Sequence, residues 1–196
     1  MVFKQKCIVA LMGWVLAAGV LAAPAELAGV RLEPQIELAN GKLLLNGAGI
    51  RYKAVFKVFV TALYLSKSAG TEAEAYAAPG PKRIAITLLR DVNGDAFGKG
   101  FVKNFGAASS KSEMSKLVPG LIKMGQLFAD QKVFAKGDTV FIDWIPGKGT
   151  VISIRGVAQG EPSKEVEFFN TTLAMWIGSA AEDLALKDGL LGHSQP

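Results

Sequence analysis

Apolar residues recur at two different spacings in this chain, and the switch between them marks its elements. Leu43–Leu45 is a short apolar run that ends in Asn46-Gly47-Ala48-Gly49, a turn signal. Residues 55–65 are rich in Val, Phe and Tyr and predict a long strand, and residues 83–89 alternate as a second one. Residues 66–82, dominated by Ser, Ala, Gly, Thr, Glu and Pro, predict a surface loop between them. The spacing then changes. Phe97, Phe101 and Phe105 recur every four residues with Lys99 and Lys103 between, which gives a helix one aromatic and one solvated face. Met114, Leu117, Val118, Leu121, Met124 and Phe128 continue at helical spacing, and Pro119 should kink this second helix or mark its start. Residues 139–145 and 150–155 return to strand character and are joined by Pro146-Gly147-Lys148-Gly149, a hairpin. Residues 166–177 predict a third helix with Phe169, Leu173, Trp176 and Ile177 along one side, and a short helix or turn closes at Leu190-Leu191-Gly192. The sum is an α+β domain, an antiparallel sheet with helices on one face.

The first residues carry a different signal. Lys4 and Lys6 precede an apolar run from Cys7 to Ala22, and small residues follow it. Val20 and Ala22, or Ala23 and Ala25, suit the −3 and −1 positions of a signal-peptidase site. The run is short for a bilayer core of about 30 Å, so a cleaved signal peptide over residues 1–22, with cut positions from 22 to 25, is expected rather than an anchor. A single mature domain of residues 23–196 remains, with no stable membrane insertion.

Composition then narrows the chemistry. The chain has 196 residues, half of them hydrophobic and 20% charged, enough to bury a sizeable core and too apolar for disorder. Its one cysteine, Cys7, would leave with the signal peptide, so the mature chain has no disulfide and no thiol nucleophile. An exported chain with nothing to oxidise fits a bacterial periplasm. Loss of Lys4 and Lys6 leaves 20 basic and 17 acidic residues, a balance that gives no case for nucleic acid. With one histidine, His193, near the C-terminus, neither a His-rich metal site nor a Ser-His-acid triad is expected.

Three apparent motifs dissolve on inspection. Asp91-Val92-Asn93-Gly94-Asp95 opens like a calcium loop, but Ala96 and Val102 stand where Gly and Glu are required, so a helix N-cap with an acidic first turn is the better reading. Gly47-Ala48-Gly49 lacks the third glycine of a dinucleotide turn, since Tyr52 stands there. Asn170-Thr171-Thr172 fits a glycosylation sequon but lies inside a predicted helix.

Two segments resemble a known family. Asn46-Gly47-Ala48-Gly49-Ile50-Arg51, followed by the strand that ends in Tyr64-Leu65, resembles the Gly-Ala-Gly-x-Arg turn and long strand of the chalcone isomerase-like superfamily. Phe168-Phe169 through Trp176-Ile177-Gly178, then Leu186-Lys187-Asp188-Gly189-Leu190-Leu191-Gly192, resembles the C-terminal closure of its secreted bacterial members. The order of elements between them is similar too, from about residue 27 to residue 192.

The resemblance implies a curved antiparallel sheet against a helical layer, an open-faced β-sandwich with a cleft between the layers and no cofactor. Plant isomerases of this superfamily close a chalcone to a flavanone by intramolecular conjugate addition, related plant proteins bind fatty acids, and fold alone does not choose between them. Arg51 matches the cleft arginine that steadies an enolate-like charge in the isomerases and holds a carboxylate in the fatty-acid binders. A guanidinium suits both tasks, since it is always charged and can grip an oxyanion with two charge-assisted bonds. The family's strand hydroxyl falls on Phe59, and Thr61, two residues on, would share its face of the strand. The isomerases' catalytic Tyr and Asn have no clear match.

The expected function is therefore binding of a small apolar carboxylate such as a fatty acid. Arg51 is the expected anion handle, and Phe59, Thr61, Phe97, Phe101, Phe105, Met114 and Leu121 are the expected ligand-binding wall. The alternative is a cofactor-free intramolecular lyase acting on an enone, with Arg51 and a hydroxyl from Thr61 or Tyr64. A third reading gives function to a partner contact through Lys53, Lys57 or the 66–82 loop.

Overall fold

The computed structural model describes residues 24–193, so the expected signal peptide lies outside the described residues. The chain opens with three short strands, β1 (Ala25–Leu27), β2 (Val30–Leu32) and β3 (Gln35–Leu38). Two long ones follow, β4 (Gly41–Lys53) and β5 (Phe56–Leu65). Helix α1 (Glu72–Ala77) and strand β6 (Lys82–Leu88) come next, then β7 (Val92–Asn93). Helices α2 (Gly94–Ala108) and α3 (Lys111–Ala129) form a hairpin, closed by β8 (Val133–Phe134), which pairs with β7. Strands β9 (Thr139–Ile145), β10 (Gly149–Ile154) and β11 (Val157–Ser163) form a meander, and helices α4 (Val166–Ile177) and α5 (Leu184–Leu190) end the chain.

Seven strands make one curled antiparallel sheet in the order β11-β10-β9-β6-β5-β4-β3. Side-chain alternation divides its core in two. On β5, Phe59, Leu63 and Leu65 face the helices and join Ile84, Ile86, Val140 and Ile142 from neighbouring strands. Val60, Ala62 and Tyr64 face the opposite side, where the β1–β2 hairpin covers them. The predicted α+β class, with an antiparallel sheet against helices, is what the structure has.

Several elements differ from expectation for local reasons. Asn46-Gly47-Ala48-Gly49 is not a turn: β4 runs straight through it, with a bulge between Leu45 and Gly47. The bulge aims Asn46 off the sheet. Its Nδ2 donates to the carbonyls of Ala69 (3.0 Å) and Leu190 (2.7 Å), and its Oδ1 accepts from the Ala69 amide (2.7 Å). The two glycines serve close approach rather than turning. A Cβ on Gly47 would lie 2.1 Å from the Gly189 carbonyl oxygen, and one on Gly49 2.8 Å from Leu186 Cδ1. α5 thus rests directly on the β4 backbone.

The expected 66–82 loop contains α1, nucleated by a capping box: Glu74 N donates to Thr71 Oγ1, and Glu74 Oε2 accepts from the amide of Thr71. Pro119 neither starts nor ends a helix; it sits exposed inside α3, which begins eight residues earlier at Lys111 behind the Ser110 cap. The calcium-like segment is a helix start, as expected: Asn93 Oδ1 accepts from Ala96 N at 3.0 Å, with Asp95 in the first turn.

The glycines give a test with two signs. Gly47→Ala forces backbone against backbone and should cost about 3 kcal/mol. Gly100 lies within α2, where a Cβ meets nothing within 4 Å, so Gly100→Ala should add about 0.5–1 kcal/mol. Urea unfolding of both variants beside the parent reads the difference.

Candidate functional site

Strand β4 carries Arg51 near the end that turns into β5, directly paired with Phe59 on that strand. Phe59 faces the helices, and Arg51 follows Gly47 and Gly49 on the side that α5 covers. α5 therefore decides what Arg51 meets. Its N-cap is Asp183, whose Oδ1 accepts from the Leu186 amide at 3.1 Å. The other carboxylate oxygen, Oδ2, accepts from Arg51 Nη1 at 3.2 Å. Glu182 comes within 3.8 Å of Nη2, beyond good hydrogen-bond reach. Arg51 is 28% exposed and Asp183 18%, so the pair is sheltered at the base of an opening but not dry. One face of the guanidinium is held, and its remaining N–H groups are left over for another acceptor.

That opening is a cleft of about 340 Å³. Its floor is Val58 and Phe59 of β5, with Arg51 and Lys53 of β4 at one side. α2 forms one wall through Phe97, Gly100, Phe101 and Asn104, and α4 the other through Met175 and Trp176. Lys103 and Glu182 stand among its polar lining residues. A smaller recess of about 30 Å³ adjoins it, lined by Asp183 and Ala180 and sharing Arg51, Asn104 and Trp176. The combination is a mostly apolar slot with a guanidinium at its end, near the lower limit of the 300–1,000 Å³ typical of small-molecule sites.

The aromatic stripe of α2 is divided between two jobs. Phe97 stacks edge-on against Phe128 (5.0 Å) and also touches Phe59 (6.2 Å), so it forms cleft wall and core roof at once. Phe101 is 5% exposed and still reaches the cleft. Phe105, one turn further, is fully buried against Phe168 at 5.1 Å. Of the expected binding residues, then, Arg51, Phe59, Phe97 and Phe101 meet in one cleft. Phe105 and Leu121 are packed core, Met114 packs on that core, and none of the three lines the cleft.

The two hydroxyls considered for chemistry do not reach the cleft. Thr61 shares the face of Phe59, as expected, but is wholly buried, and its Oγ1 has no hydrogen-bond partner. Tyr64 faces the other side of the sheet beside Val60 and Ala62. Burial, and then the carboxylate of Glu33, push its phenol above the ordinary range.

Sequence reading missed Asn104, Met175 and Trp176. Asn104 lies three residues beyond Phe101 and seven beyond Phe97, so the helical spacing that found the phenylalanines also places an amide on their face. Trp176 was placed on the buried side of its helix and is 8% exposed, at the end where core becomes cleft.

The comparisons agree with this architecture. The model of the chalcone isomerase-like family matches residues 24–192. Among solved structures the chain is similar to a fatty-acid binding protein of Arabidopsis thaliana, with a TM-score of 0.69 at 16% identity over 85% of this chain and 93% of that one. No curated protein matches it in sequence. No helix among the described residues is long and apolar enough to cross a membrane.

Asp183 is expected to act on α5 and Arg51 together. Asp183→Ala should lower stability by about 1–2 kcal/mol, through the lost cap and a partly exposed ion pair. Asp183→Asn keeps a cap and should recover most of it. Thermal or urea unfolding of the two variants separates the contributions.

Proposed function

The chain belongs to the chalcone isomerase-like family, and from that starting point we propose that it binds a small apolar carboxylate, such as a fatty acid, with its tail along the cleft and its head on Arg51. One observation carries the reading: an apolar slot between α2 and α4 ends on a guanidinium that has N–H groups to spare. The fold shared with a plant fatty-acid binding protein supports it. No cofactor takes part. The segment ahead of residue 23 acts as a signal peptide, and the protein works in the periplasm or outside the cell.

The conjugate-addition alternative is less well served. It asks for a hydroxyl beside the cleft arginine, and neither Thr61 nor Tyr64 lines the cleft. Phe59, directly across from Arg51, offers none. Arg51 could steady a developing oxyanion, and the polar groups that share its cleft are Asn104, Lys53, Lys103 and Glu182 rather than a hydroxyl.

Titration of delipidated protein with a series of straight-chain carboxylates tests the proposal. Affinity should rise about fourfold per added methylene, from roughly 0.8 kcal/mol each, until the cleft is full. Arg51→Ala should weaken binding by roughly tenfold or more, the worth of a charge-assisted bond, while leaving alkyl alcohols of equal length unaffected. Unchanged carboxylate affinity in that variant would sink the assignment of Arg51. For export, N-terminal sequencing of secreted protein should begin between residues 23 and 26.

A further inference from the structure

The hairpin joining β4 to β5 breaks a rule that the other hairpins keep. Two-residue turns need left-handed backbone, which Gly and Asn adopt at little cost. Ala28-Gly29, Ala39-Asn40 and Arg155-Gly156 each supply one, and Gly147 serves the β9–β10 turn. Between Lys53 and Phe56 stand Ala54 and Val55: Ala54, at a φ of 51°, matches Ala28, Ala39 and Arg155 at the first turn position, but Val55 stands where the others have a left-handed Gly or Asn. A two-residue turn without Gly, Asn or Asp, and with a β-branched residue in it, is a poor choice for folding.

Its side chains are also misplaced for a structure that ends in water. Val55 is 83% exposed, Phe56 58%, and Tyr52 on the opposite arm 42%. Lone exposed apolar residues are ordinary, but here three share one hairpin tip. Cations frame them. Lys53 and Lys57 flank the turn, and the Arg90 guanidinium lies 5.2 Å from the Phe56 ring centroid. Residues 38–71 contain no aspartate or glutamate at all, while they hold Lys42, Arg51, Lys53, Lys57 and Lys67.

We propose that this tip docks on an anionic lipid surface, with Val55 and Phe56 entering the headgroup–acyl boundary and Lys53, Lys57 and Arg90 meeting lipid phosphates. Aromatic and aliphatic side chains at an apex, ringed by long basic stems that can snorkel, suit the chemistry of a bilayer interface. Lys53 and Val58 also line the cleft, so docking brings the mouth of the slot to the lipid. The use of that contact to exchange an acyl ligand rests on the function proposed above; the docking itself does not.

A reporter on the tip provides the test. In a Cys7→Ser background, an environment-sensitive fluorophore is placed on Val55→Cys, or on Val157→Cys at the β10–β11 hairpin, where Val157 is 63% exposed. With phosphatidylglycerol vesicles the tip label should shift to the blue and the Val157→Cys label should not, and phosphatidylcholine vesicles should move neither. Val55→Ser with Phe56→Ser should cut vesicle binding on the order of tenfold and leave carboxylate affinity in solution unchanged, whereas Arg51→Ala should do the reverse. A silent tip label, equal shifts at both hairpins, or equal response to the neutral vesicles overturns the proposal. A tip label that responds only to a protein fraction replaces the lipid with a protein partner.

Discussion

The contact between the β4 backbone and α5 governs everything built around Arg51. It exists because neither surface carries a Cβ where they meet: Gly47 faces the Gly189 carbonyl, and a Cβ on Gly189 would fall 2.5 Å from the Ala48 oxygen. Helix and strand normally keep side chains between them. Removing those side chains lets the helix sink until main chain touches main chain. Asn46, thrown out by the bulge, then ties the sheet to the end of α5 and to the loop after β5 with three hydrogen bonds. With its C-terminal end fixed there, α5 presents its N-cap to the position on β4 four residues beyond Gly47, and that position is Arg51. The ion pair is a consequence of backbone packing more than of attraction between its partners, since a half-sheltered pair contributes little by itself.

Alternation along β5 explains which of its side chains reach the cleft. Phe59, Thr61, Leu63 and Leu65 go to the helix side in sequence, from cleft floor to deep core. Thr61 falls one step too far inward: buried, without a partner, and below the floor that Phe59 makes. Tyr64 falls on the other face, where burial holds its proton. A hydroxyl at position 59 would have stood beside Arg51. An aromatic hydrocarbon there gives Arg51 an apolar neighbour instead.

How much of this the sequence disclosed follows from how local each cause is. The α2 stripe was legible because four-residue spacing needs no partner to be read, and α4 was found to its ends. Arg51 was reached through resemblance rather than through any pattern of its own. The β4 segment was misread as a turn because glycines and an asparagine in a row signal flexibility. Their purpose depends on a helix about 140 residues away. Phe105, Met114 and Leu121 show the same limit from the other direction: periodicity finds an apolar face but cannot tell where a core stops and a cleft begins, because that is set by the position of α4 and the curl of the sheet. The small strands β1 to β3, and β11 with its Gly-Glu-Pro run, are held by pairing rather than by their own propensity.

Magnitudes decide how Arg51 and the cleft divide the work in the proposed complex. A charge-assisted hydrogen bond nets about 1.5–3 kcal/mol, and Asp183 already takes one side of this guanidinium. Ten buried methylenes would contribute on the order of 8 kcal/mol before the cost of immobilising the chain. The apolar wall of Phe59, Phe97, Phe101, Met175 and Trp176 therefore sets how tightly a ligand is held. Arg51 sets which way round it lies and favours an acid head over an uncharged one, because only the anion gains the charge-assisted bond. Asp183 fits that division: by fixing the plane of the guanidinium it lowers the ordering cost of the second bond, at the expense of some of its charge. A site meant for the tightest possible anion grip would leave its arginine unpaired. One meant to orient a mostly apolar molecule and release it again gains from an arginine held in place and partly neutralised beforehand.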